Sequence, residues 1–118
     1  GLGFVPSLHL QAPVAELDAI EGELKEDVVA VVKECLANVA RHAHASAVSV
    51  SITLFKEGVD TVIQVNVSDN GRGIDPSITR RSGLANMGAR ARRHLGWVDF
   101  YSLDPGTMVS WRATIIAE

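Results

Sequence analysis

Two stretches of strict alternation organise the middle of the chain. Val48, Val50, Ile52 and Leu54 alternate with Ser49, Ser51 and Thr53, and Ile63, Val65 and Val67 alternate with Gln64, Asn66 and Ser68. A period of two turns one set of side chains inward and the other toward water, so each stretch predicts a strand of a half-buried sheet. Glu57-Gly58-Val59-Asp60 supplies the turn between them. Upstream, residues 25–43 contain neither Gly nor Pro, and Val28, Val32, Cys35, Leu36 and Val39 recur at the spacing of one helical face. Acidic Glu26 and Asp27 open this predicted helix and Arg41 and His42 close it, the polarity that the helix dipole favours. Residues 8–11 alternate weakly and stop at Pro13, which predicts a short edge strand.

After Ser68 the pattern breaks. Asp69-Asn70-Gly71-Arg72-Gly73-Ile74-Asp75-Pro76 is rich in turn formers, and no period returns before Ser82, so this region reads as a loop. Leu84, Met87, Ala91 and Leu95 then mark a short helix ended by Gly96, and residues 97–103 and 108–116 form a last hairpin around Asp104-Pro105-Gly106. The order is strand, helix, strand, strand, loop, helix, strand, strand. Short turns between neighbouring strands favour antiparallel pairing. The expected fold is an α/β two-layer sandwich, a mixed but mostly antiparallel sheet covered on one face by helices, in a single domain over residues 1–118.

Composition narrows the partners. A chain of 118 residues can bury about two-thirds of its unfolded surface in one core. Hydrophobic residues at 47% and charged ones at 21% are near the globular norm. A formal net charge of -3 gives no global positive field for nucleic acid or an anionic membrane, so an anionic ligand must be caught locally. No apolar run approaches the roughly 20 residues that span a bilayer, and Gly1-Leu2-Gly3-Phe4 lacks the basic flank of a signal peptide. The single Cys35 has no partner for a disulfide, which points to a reducing compartment and a cytoplasmic location.

Candidate chemistry gathers in three places. Glu34, Asn38 and Arg41 fall at i, i+4 and i+7 of the predicted helix and form a polar stripe beside the apolar one. Alone, such a stripe is equally well a solvated helix face. Asp69 takes the next odd position after Ile63, Val65 and Val67, so its carboxylate is expected on the core face at a strand end, where it needs hydrogen-bond donors. Thr107 stands in the same relation to Val109, Trp111, Ala113 and Ile115. Two polar groups at the rim of an apolar face make a slot for a flat base. Gly71 and Gly73 let the loop backbone approach a ligand, and Gly83 opens the second helix, whose free N–H groups can receive phosphate oxygens.

In combination these motifs resemble the nucleotide-binding fold shared by histidine kinases, gyrase-type ATPases, Hsp90-type chaperones and MutL-type repair proteins, the Bergerat-type ATP-binding fold. Glu34-Cys35-Leu36-Ala37-Asn38-Val39-Ala40-Arg41-His42-Ala43 resembles the N box, Asp69-Asn70-Gly71-Arg72-Gly73 the G1 box, and Gly83-Leu84-Ala85-Asn86-Met87 the G2 box. Arg41-His42-Ala43, the short loop, and Gly83-Leu84 followed by Met87 make the chain most similar to histidine kinases that pair with helix-turn-helix response regulators. Within that group it resembles the mycobacterial haem-based hypoxia sensor kinases. The resemblance implies ATP and Mg²⁺ as cofactors, with Asn38 coordinating the metal that bridges the phosphates and Glu34 ordering its water shell or serving as a base. It implies that Asp69 accepts a hydrogen bond from the adenine amino group with Thr107 beside it. Arg41 and His42 become candidates for phosphate contact, with Gly71, Gly73, Gly83 and Leu84 shaping the covering loop.

Asn86 departs from the family pattern, which places glycine before the G2 methionine, and no F box lies between the glycine motifs. None of His9, His42, His44 and His94 stands in a phosphoacceptor motif, so the chain is expected to be the catalytic part of a longer kinase. Its expected partners are the histidine-containing dimerisation domain and a response regulator. An anti-sigma-type serine kinase of the same fold, or a nucleotide-binding module without turnover, are the alternatives. A calcium loop beginning at Asp69 fails because the twelfth position is Arg80 where a glutamate is required. The histidines and Cys35 show no metal-ligand spacing, and the histidines read as surface or capping residues. Met87 and both tryptophans read as core, and the basic cluster Arg90, Arg92 and Arg93 as a solvated helix face, with contact to a partner or phosphate as the alternative.

Overall fold

The computed structural model describes residues 7–11, 20, 22–43, 45–71 and 85–115, with side chains for all of these except 8–11, 42 and 43. Along the chain run β1 (Ser7–Gln11), α1 (Gly22–Asn38), a π-helical turn (Val39–Ala43), β2 (Val48–Glu57), β3 (Asp60–Asp69), α2 (Ala85–Arg92), β4 (Val98–Ser102) and β5 (Thr107–Ile115). The strands form one sheet in the order β1-β2-β3-β5-β4. β1 lies at an edge and pairs parallel with β2; the other pairings are antiparallel. This is the mixed, mostly antiparallel sheet and two-layer architecture expected from the sequence.

Register explains which residues line the core. Ile52 opposes Val65, which opposes Trp111, which opposes Val98, so one row crosses four strands on one face. Directly opposed residues share a face. The rows on either side continue with Val50, Val67, Val109 and Phe100, and with Leu54, Ile63 and Ala113. α1 covers this face with Val28, Val31 and Cys35, and α2 adds Met87 and Ala91. Trp111 is fully buried, and its indole N–H donates to the carbonyl of Met87 at 3.0 Å, so the sheet holds α2 by a directional bond as well as by packing. The opposite face carries Ser49, Ser51, Thr53, Gln64 and Asn66 and has no helix over it among the described elements.

Several local expectations change. The first helix begins at Gly22, three residues before the predicted start, and its regular part ends at Asn38 rather than Ala43. Asp27, expected to open the helix with Glu26, lies one turn inside α1, is 1% exposed and receives Arg90, Arg93 and His94. Arg90 and Arg93 therefore do not form a merely solvated face, and His94 is neither a free surface group nor a cap. Trp97 is 49% exposed and lies outside the core. It sits on the helix-free side, where Phe55 and Trp97 both contact the Arg112 guanidinium, 5.3 and 4.6 Å from their ring centroids.

The second helix stops at Arg92, and the left-handed residue that follows is Leu95 (φ 57°), not Gly96. Gly96 is needed for a different reason. A Cβ there would lie 1.8 Å from the Arg112 carbonyl oxygen, so the chain can enter β4 against β5 only without a side chain. Among the described residues, no helix is long and apolar enough to cross a membrane.

Candidate functional site

The ends of β3 and β5 meet where Asp69 opposes Thr107. Both follow the inward alternation, and at 6% and 7% exposure both are buried at the rim of the apolar face. The Asp69 carboxylate accepts the backbone N–H of Gly71 at 2.8 Å and the backbone N–H of Thr107. Burial pushes the Asp69 carboxyl up from its ordinary value, and these two N–H donors offset part of the rise. The result is a desolvated acceptor held in place by backbone groups.

Two neighbours shape this end, and sequence reasoning assigned neither a site role. Gly106 has φ 107°, and a Cβ on it would fall 1.8 Å from the Asp69 carbonyl oxygen. The β4–β5 turn can thus lie against Asp69 only because residue 106 is glycine. The Pro105-Gly106 pair immediately before Thr107 was the available signal. Asn70 bridges to the segment before β2: its Oδ1 accepts from the backbone N–H groups of Ser46 and Ala47 at 3.0 and 2.9 Å, and its Nδ2 donates to Ser46 Oγ at 3.0 Å. Its backbone N–H also donates to the Ala47 carbonyl. Asn70 was quoted only as part of a glycine loop, yet it ties the exit of β3 to the entry of β2.

The second part of the site lies at the end of α1. Asn38 is 2% exposed, and its Oδ1 accepts from Arg41 Nη2 at 2.8 Å; the same nitrogen stands 3.6 Å from Glu34 Oε1. Arg41 belongs to the π-helical turn, a distortion that recurs at functional sites. Val39 of that turn packs with Val48, whose register partner is Asp69, so the helix end and the strand end are joined through one apolar contact. Glu34 also lines a cleft of about 390 Å³ with Ala30, Lys33, Ala37, Asn86, Met87 and Arg90, between α1 and α2. A second cleft, at the strand ends, is lined by Asp69 with Ser7, Ala47, Val48, Ser49, Ser68, Asn70, Leu103 and Pro105.

The structure therefore brings Glu34, Asn38 and Arg41 together at one end and Asp69, Gly71 and Thr107 at the other. The side chain of His42, and Gly73, Gly83 and Leu84, lie outside what the structure describes. Asn38 and Glu34 offer oxygen donors one helical turn apart, the ligand type that Mg²⁺ prefers. The Arg41 guanidinium contacts both oxygens, so it must move aside before Asn38 and Glu34 can take a metal.

Residues 23–113 match the family described as Histidine kinase-, DNA gyrase B-, and HSP90-like ATPase. The chain belongs to this family. Its fold is that of histidine kinase ATP-binding domains. It is similar to the histidine kinase AdeS of Acinetobacter baumannii at 15% identity and a TM-score of 0.65, covering 96% of this chain and 55% of that one. The ATP-binding domain of PrrB from Mycobacterium tuberculosis is similar at 22% identity and a TM-score of 0.63, covering 78% of this chain and 69% of that one. The blue-light activated histidine kinase EL346 of Erythrobacter litoralis, in its kinase-domain structure, gives 18% identity and a TM-score of 0.59 over 91% of this chain and 53% of that one. The chain thus spans little more than half the length of AdeS and of that kinase domain.

Proposed function

We propose that this chain is the ATP-binding catalytic domain of a two-component sensor histidine kinase, a piece of a longer cytoplasmic protein that transfers the γ-phosphate of ATP to a histidine on a separate dimerisation domain. A response regulator is the downstream partner. The observation that carries this reading is the buried Asp69 carboxylate, paired with Thr107 at the rim of the helix-covered face, inside the segment that matches the family.

Each residue then has a task. Asp69 accepts a hydrogen bond from the adenine amino group. Guanine presents a carbonyl oxygen at that position, which sets acceptor against acceptor and selects for ATP. Thr107 supports the same edge, and Gly71 keeps the Asp69 carboxylate oriented. Asn38 would coordinate the metal that accompanies the phosphates, and Glu34 would order its water shell or serve as a base. Arg41 and His42 contact phosphate, and Gly73, Gly83 and Leu84 shape the loop over it. Bound Mg²⁺ offsets the charge that develops during in-line phosphoryl transfer. The protein's own contribution is positioning and water exclusion.

A titration of this chain with Mg-ATP, with GTP as control, tests the binding half. Heat on ATP addition with none on GTP addition is the expected result. Supplying the helical acceptor domain then tests transfer: acid-labile phosphohistidine supports the reading, whereas acid-stable phosphoserine on an added partner moves it to the serine kinases. Binding without transfer to either reduces the chain to a nucleotide module.

A further inference from the structure

Asp27 is the most deeply buried charged side chain described, at 1% exposure, and the nucleotide reading gives it no task. Arg90 Nη1 and Arg93 Nη2 each reach its Oδ1 at 2.5 Å, and His94 Nε2 lies 2.7 Å from Oδ2. Arg93 also reaches Glu23 through Nε at 3.1 Å. Glu23 and Asp27 lie on α1; Arg90 lies on α2 and Arg93 and His94 in the turn that follows it. Glu23, Asp27 and His94 bring three potential ligand atoms within 4.8 Å of one another. Two guanidinium groups already occupy the central carboxylate, which leaves it satisfied by cations of the chain itself and unsuited to a metal.

The two helix backbones approach each other only sparsely, so side chains must fix their separation. Trp111 secures the N-terminal part of α2 through the Met87 carbonyl, and Asp27 secures its C-terminal part. His94 stands edge-on to Trp111, with ring centroids 6.5 Å apart, which connects the two anchors. Arg90 is at once a partner of Asp27 and a wall of the cleft that holds Glu34 and Asn86.

We infer that Asp27 is a positioning residue of the nucleotide site, acting through Arg90 and His94 to hold α2 across the cleft from Glu34. The inference rests on the nucleotide reading above. A salt bridge that served stability alone would be replaceable by apolar packing. One that sets the distance between two site-bearing helices would not, because small misplacements at a site are amplified in binding and rate.

The test measures the ATP dissociation constant by calorimetry in Mg²⁺, well below each protein's melting temperature. Asp27→Asn and Arg90→Gln are each expected to weaken binding by about tenfold or more, and the double variant by no more than the stronger single one. Asp27→Glu is expected to recover part of the loss. Val62→Ala removes buried volume on the helix-free face and serves as a control, with a lowered melting temperature and an unchanged constant. Wild-type affinity in Asp27→Asn, or an equal loss in Val62→Ala, overturns the inference while leaving the nucleotide reading intact. Failure of the unmodified chain to bind Mg-ATP overturns the nucleotide reading itself and the inference with it.

Discussion

At the scale of single residues, Asp69 and Asp27 are buried carboxylates whose pKa values move in opposite directions. Burial raises Asp69, so ionising it removes stability as pH climbs from the ordinary value of 3.8 through the raised one. Asp69→Asn keeps an acceptor oxygen for the Gly71 N–H and removes the buried charge, and its melting temperature at neutral pH should equal or exceed that of the unmodified chain. Its ATP binding should weaken by about 1.5–3 kcal/mol, the worth of a charge-assisted hydrogen bond. Calorimetry and thermal melts together check this, and a stability loss with affinity kept would contradict it.

For Asp27, burial pushes the carboxyl upward, but hydrogen bonds from His94 and Arg90 and the charge of Arg93 outweigh it and leave it below 3.8. That stabilisation is complete above the ordinary value and lost as pH falls through the depressed one. Asp27→Asn should therefore be less stable at neutral pH, by about 2–3 kcal/mol, less than for a fully buried pair because Arg93 is half exposed. It should also lose less than the unmodified chain on acidification below about pH 4. Melting curves from neutral to acid pH show whether the two profiles converge.

At the scale of elements, what was legible in the sequence is what periodicity encodes. β2 and β3 could be read residue by residue because each exposes one face to a helix layer and one to polar surroundings, and Asp69 and Thr107 were placed by carrying that alternation one step further. The first helix was legible in its apolar stripe but not in its ends, since the π-helical turn continues the helical composition while changing the hydrogen-bond spacing. Cross-element partnerships were not legible. Nothing in local spacing ties Asp27 to Arg90, 63 residues away, or seats Gly106 against Asp69. That second contact yields a prediction for the β4–β5 turn: Gly106→Ala must relieve both φ 107° and a 1.8 Å approach. A loss of at least about 2 kcal/mol in urea denaturation is expected, together with weaker ATP binding.

At the scale of the whole molecule, the groups proposed for adenine lie at strand ends and those proposed for the metal on α1, and the two are joined through Val39 and Val48. The expected outcome is that the two ends fail separately. Asn38→Ala, tested with the acceptor domain, should abolish metal-dependent phosphohistidine formation while retaining more nucleotide affinity than Asp69→Asn. Equal transfer kinetics in Asn38→Ala and the unmodified chain would remove Asn38 from the metal end. Glu34 and Asn38 were recognisable only as a motif, because helix spacing permits many polar stripes. Their convergence on Arg41 is a property of the folded helix end.

The contrast between the two tryptophans makes the domain its own optical instrument. Trp97 is 49% exposed, while Trp111 is fully enclosed and bonded to the α2 backbone. A collisional quencher in solution should extinguish the emission of the first and spare the second. The surviving blue-shifted signal then reports on α2, and it should move to longer wavelength whenever that helix lifts from the sheet, without any label.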